Sequence, residues 1–111
     1  MADYVPRKGD LITLTFDPQS RHEQRGRRPA LVVSNDLFNK HTGLCIACPI
    51  TNTRRHYPFH VEIPDGARVP GVVMVEQVKS VDFRARKARR LEKAAPEMLD
   101  EVLSILDACI Y

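Results

Sequence analysis

The chain has no apolar run approaching the roughly 20 residues needed to cross a bilayer. It opens on Met-Ala-Asp-Tyr rather than on a basic and then apolar leader, so no signal peptide is read and the expectation is a soluble, cytoplasmic protein. Cysteine is scarce and odd in number: Cys45, Cys48 and Cys109 imply no disulfide framework, and without an export signal their thiols are expected to be reduced. Cys45-Ile46-Ala47-Cys48 does spell a C-x-x-C pair. No second pair or pair of histidines follows at metal-ligand spacing, and the run around it is of strand type, where positions three apart point to opposite faces. Buried structural cysteines are expected there, with no metal and no cofactor. There is also no internal repeat, low-complexity tract or linker, so the 111 residues read as one domain, 1–111, around a single hydrophobic core.

What is present is globular in composition, 43% hydrophobic and 28% charged. The net charge of +3 is unevenly spread. Arg84 to Lys93 holds six basic residues and one acid, whereas Glu97 to Asp107 holds four acids and no base. A locally basic surface suits a phosphate-bearing partner.

Period-two alternation or β-branched runs predict strands at Leu11–Phe16, Ala30–Ser34, Leu44–Ile50, Phe59–Ile63 and Val72–Val78. Asp17-Pro18, Pro64-Asp65-Gly66 and Pro70-Gly71 break them, and Asp36–Asn39 reads as a short helical turn or loop. Five or six short strands of this kind predict a small, strongly bent sheet or barrel. Pro96–Ile110 is an amphipathic helix with Leu99, Val102, Leu103, Leu106 and Ile110 on one face, its opening proline and early acids suiting a helix start. The class is mainly β with small helices, α+β.

One polar stretch stands out, His22-Glu23-Gln24-Arg25-Gly26-Arg27-Arg28-Pro29, feeding the apolar Ala30–Ser34. Gly26 lets the backbone turn and Pro29 fixes its entry into the strand. By composition alone it is either a solvated connection or a functional loop on a rigid scaffold.

Four blocks in order bear on that choice: Gly9-Asp10-Leu11-Ile12; Glu23-Gln24-x-Gly26-x-Arg28-Pro29-Ala30-Leu31-Val32-Val33-Ser34; Pro49-Ile50-Thr51; and Glu76-Gln77-Val78-Lys79-Ser80-Val81-Asp82. Together they resemble the MazF/PemK/Kid family of toxin endoribonucleases, over essentially the whole chain. Tyr4-Val5-Pro6 and Asn39-Lys40-x-Thr42-Gly43 resemble its chromosomal MazF branch. The resemblance implies an SH3-like β-barrel of the MazF/Kid/CcdB type, working as a homodimer whose two-fold interface helps form an RNA groove. It implies metal-free cleavage of single-stranded mRNA at a short sequence, and inhibition by a cognate antitoxin whose acidic C-terminal tail lies across that groove.

Such cleavage needs a base for the 2′-hydroxyl, an acid for the leaving 5′ oxygen and donors for the phosphoryl oxygens. By resemblance, Arg28 stabilises transition-state charge and Thr51 adds a hydroxyl donor. Glu23 orients Arg28 or takes the 2′ proton, with Glu76 and His22 as supporting candidates. In Kid-like members an arginine two residues before the late-strand acid serves as the acid; Met74 stands there and cannot transfer a proton. Gln24, Arg25, Arg27, Asn52, Arg54, His56, Phe59, Gln77, Lys79, Arg84 and Arg86 are the expected RNA contacts. A gyrase-poisoning toxin of the same fold and a non-catalytic RNA-binding module are the alternatives.

Overall fold

A computed structural model describes residues 4–15, 26–55 and 57–111. The expectations placed on Phe16, His22, Glu23, Gln24, Arg25 and His56 lie outside the described residues. Among those described, seven strands form one antiparallel sheet: β1 Asp10–Thr15, β2 Arg27–Val32, β3 Leu44–Thr51, β4 His60–Glu62, β5 Val72–Met74, β6 Lys79–Asp82 and β7 Arg89–Lys93. The order is β4-β5-β3-β2-β1-β7, with β6 also on β3.

The apolar β3 is the hub. One edge takes β2, from Ala30↔Pro49 to Val32↔Ala47. The other edge is shared, with β6 along Leu44–Ala47 and β5 at Ile50 and Thr51. A strand that changes partner along its length curls the sheet, as the bent-sheet expectation required. Side chains alternate across it. Leu11, Leu31, Cys48 and Ile50 face one buried cluster with Val61, Val73, Met98 and Val102; Ile12, Leu14, Ala30, Val32, Cys45 and Ala47 face a second with Val81 and Phe83. The expected single core is thus two, one on each face of β1, β2 and β3. Cys45 and Cys48 fall on opposite faces, both free and fully buried, as the strand period required.

Two helices complete the described chain, α1 Asp36–Thr42 and α2 Pro96–Ile110. The Asn35 side chain accepts from the Phe38 N–H to cap α1, and Gly43 closes it in the left-handed conformation at φ 73°. That full helix replaces the short turn expected. In α2, Met98 and Val102 are buried, and Leu99, Leu103 and Leu106 pack partly against the first cluster. Ile110, expected on the same face, is 69% exposed. Among the described residues no helix is long and apolar enough to cross a membrane.

Two boundaries matter for function. β2 begins at Arg27 rather than Ala30, because β1 pairs with it through Leu14↔Arg28 and Thr15↔Arg27. Pro29 therefore lies within the strand, not at its entrance. The expected strand to Val78 ends at Met74, and Val75–Gln77 is a 3-10 turn that takes Glu76 off the ladder. β6 and β7 were not foreseen: β6 buries one side chain, Val81, and β7 buries none, so neither carries an apolar alternation.

Candidate active site

Successive residues of β2 point to opposite faces, and the two arginines have opposite fates. Arg27 is half-buried and bound into the fold. Its guanidinium donates to the Thr15 hydroxyl at 3.3 Å and to the carbonyls of Thr13 at 3.0 Å and Lys87 at 2.8 Å. It ties the 83–88 loop to β1 and also lines the cleft that holds Arg28. Arg28 is exposed, and among the described residues it has no carboxylate or hydrogen-bond partner. Carrying the Ala30↔Pro49 register two residues further sets Arg28 opposite Thr51 at the end of β3.

Arg28 and Thr51 line one cleft of about 370 Å³, walled by Pro29, Ile50, Val69 and Pro70, with Asn52 and Thr53 at its rim. The Thr51 oxygen accepts the Thr53 N–H at 3.2 Å. The local turn that a strand-end threonine ordinarily makes is therefore present, and the hydroxyl proton still has no acceptor among the described residues. Gly71 fixes this corner. Its φ is 123°, and a Cβ there would lie 2.4 Å from the Thr51 carbonyl oxygen. Pro70-Gly71 was legible only as a turn; nothing in its sequence signalled the close approach to Thr51.

Glu76 sits on the 3-10 turn, 3.1 Å from His60 Nε2. The His60 side chain is only 5% exposed, with its Nδ1 buried and without a partner among the described residues, and its ring 5.1 Å from that of Tyr57. A supporting carboxylate is thus already held by an imidazole. Burial pushes the Cys48 thiol up to about 12, with the negative charge of Glu76 adding to it, and burial alone does the same for Cys45. Both thiols stay protonated near neutrality and offer no nucleophile.

The remaining expected RNA contacts scatter. Asn52 borders the cleft, and exposed Arg54 is paired with Glu62 at 2.7 Å. Phe59 is 41% exposed, and Gln77 is exposed. Lys79 has its pKa lowered, first by desolvation and then by the Arg86 guanidinium. Arg86 donates to the Thr15 carbonyl at 3.1 Å, and Arg84 lies 5.8 Å from the Phe83 ring.

A curled antiparallel sheet that sets an exposed guanidinium opposite a strand-end hydroxyl over a surface cleft defines a class of small β proteins equipped to grip an oxyanion. The chain belongs to the PemK-like, MazF-like toxin family of type II toxin-antitoxin systems, which it matches over residues 7–110. It is 41% identical over 107 residues to the endoribonuclease toxin MazF of Escherichia coli strain K12, covering 96% of each chain. Against the endoribonuclease toxin ChpB of the same strain it is 42% identical over 111 residues, covering 93% of this chain and 92% of that one. A crystal structure of MazE-MazF from Deinococcus radiodurans superposes with a TM-score of 0.88 at 42% identity, covering 96% of this chain and 97% of that one. The bent sheet with its C-terminal helix is the MazF fold, and relatives named endoribonucleases count against the gyrase-poisoning and non-catalytic alternatives.

Proposed function

We propose that this chain cuts single-stranded RNA by attack of a 2′-hydroxyl on the adjacent phosphorus, leaving a 2′,3′-cyclic phosphate and a 5′-hydroxyl. The nucleophile is internal to the substrate, so the reaction is assigned no metal and no cofactor. The observation that carries this reading is the placing of Arg28 and Thr51 on one cleft, their donors without an acceptor among the described residues. The planar guanidinium fork suits two phosphoryl oxygens, and the Thr51 hydroxyl supplies a further donor as negative charge builds. Glu23, with His22 beside it, is the carboxylate proposed to orient Arg28 or take the 2′ proton; Glu76 is a supporting group held by His60.

Asn52 at the rim of the cleft is proposed to contact RNA, as are Arg54, Gln77, Lys79, Arg84, Arg86, Gln24, Arg25 and His56. Tyr57 and Phe59, 50% and 41% exposed, offer faces on which unpaired bases stack. Each such contact contributes about 1–3 kcal/mol. The Deinococcus radiodurans relative was crystallised with MazE. By analogy this toxin is proposed to act in the cytoplasm as a homodimer, shut off by an antitoxin whose acidic C-terminal tail covers the same cations. The test is incubation of purified protein with long single-stranded RNA in EDTA, followed by end analysis. Cyclic-phosphate termini that disappear with Arg28→Ala support the reading; RNA left intact by the wild-type protein sinks it.

A further inference from the structure

A second cleft, of about 670 Å³, lies away from Arg28 and Thr51. It opens at the N-terminal end of β1, whereas Arg28 faces β1 at the other end, through Leu14. The five steps from Asp10 to Thr15 separate the two ends by about 17 Å. Four cations converge on this cleft from three parts of the chain: Arg7, Lys40 of α1, and Arg90 and Lys93 of β7. Two carboxylates, Asp10 and Asp36, share it, leaving two cations in excess.

The acids do not neutralise the excess. Asp10 is 2% exposed and already accepts from the Tyr4 hydroxyl at 2.6 Å, the Arg7 N–H at 3.0 Å and Arg90 Nε at 3.3 Å. Asp36 is exposed and stands 3.9 Å from Arg7. Among the described residues Lys40 and Lys93 have no acidic partner, and the two terminal amino groups of Arg90 have none either. A buried carboxylate thus anchors one edge of a guanidinium and leaves its fork facing a concavity flanked by two free ammonium groups. Cations gathered in this way repel one another unless an anion joins them.

We propose that this cleft is a second anion site, distinct from the cleavage cleft, that binds a phosphate-bearing ligand between the Arg90 fork and Lys40 and Lys93. Its volume falls in the range of about 300–1,000 Å³ typical of small-molecule sites, so the ligand is larger than a lone phosphate. The same chemistry is offered by a free pyrophosphate group and by the backbone of a long RNA. Lys40 and Lys93 are exposed, so Lys40→Gln combined with Lys93→Gln leaves the core untouched; the thermal transition checks this.

One arm titrates wild type and double variant with sodium pyrophosphate by calorimetry. The other measures affinity for short and long 2′-O-methyl RNA, which cannot be cleaved, across salt concentrations. If a free pyrophosphate group is the ligand, the variant binds pyrophosphate roughly ten-fold more weakly. If RNA is the ligand, the slope of log affinity against log salt falls by about 1.4 for the long oligomer and not for the short one. Wild-type and variant values within two-fold for pyrophosphate, together with equal slopes for long RNA, overturn the proposal whether or not the other cleft cleaves RNA.

Discussion

The two ends of β1 treat arginine in different ways. At the Asp10 end a buried carboxylate fixes the Arg90 guanidinium by one edge. At the Thr15 end Arg27 is committed to two carbonyls and a hydroxyl, while its neighbour Arg28 is left exposed. Three of the guanidinium groups on these strands are therefore held differently: Arg27 clamps a loop, Arg90 is braced against a buried carboxylate, and Arg28 has no partner among the described residues. Among the described residues nothing occupies the donors of Arg28, which leaves them for a substrate in which negative charge is still to develop.

Removing the free arginine should have the largest effect. Arg28→Ala is expected to lower the cleavage rate by about 100- to 1,000-fold, as for loss of an oxyanion donor. Its stability should stay within about 0.5 kcal/mol of wild type, because the side chain is exposed and has no partner among the described residues. A urea titration beside a cleavage assay separates the two. Gly71→Ala should follow. The added methyl cannot coexist with the Thr51 carbonyl at 2.4 Å, so either Gly71 or the end of β3 must move. A displacement near 1 Å at a reacting group lowers rate by about 100-fold. Unaltered cleavage by a folded Gly71→Ala protein would show that the position of Thr51 is not critical.

Arg27→Ala sharpens the comparison in the opposite sense. Three hydrogen bonds from a charged donor disappear and two carbonyls lose partners, so stability should fall by about 1.5–3 kcal/mol. The folded fraction should keep most of its cleavage activity. Equal losses of rate for Arg27→Ala and Arg28→Ala at equal folded fraction would erase the distinction between the clamp and the free cation.

The sequence exposed these features unevenly. β3 was legible because it is apolar on both faces, and the split of Cys45 from Cys48 follows from the strand period alone. Arg28 and Thr51 were legible as family blocks; their placement across one cleft needed the β2–β3 register. The duties of Arg27 were hidden because the carbonyls it binds lie 14 and 60 residues away along the chain. The Asp10–Arg90 contact spans 80 positions for the same reason, so a basic run that read as one RNA-attracting surface proved to contain an edge strand with its own cleft. β-branched residues carried the predicted strand through Val75, but the chain turns there and lifts Glu76 onto a 3-10 corner.

The smallest effect concerns Arg54, a cation held by an exposed partner rather than by the fold. Its pairing with Glu62 at 2.7 Å involves side chains 59% and 69% exposed. Such a surface pair contributes only about 0.2–1 kcal/mol, so Glu62→Gln should barely move the thermal transition. The same substitution releases the guanidinium and adds one positive charge beside the Thr51–Phe59 loop. If that loop contacts RNA, affinity for non-cleavable single-stranded RNA should rise a few-fold, and the salt slope should steepen by about 0.7 for one new phosphate contact. An unchanged slope would mean that Arg54 faces away from the bound strand. The exposed pair would then be a surface ornament of β4, and the reach of the RNA site along the 52–59 loop would end at Asn52.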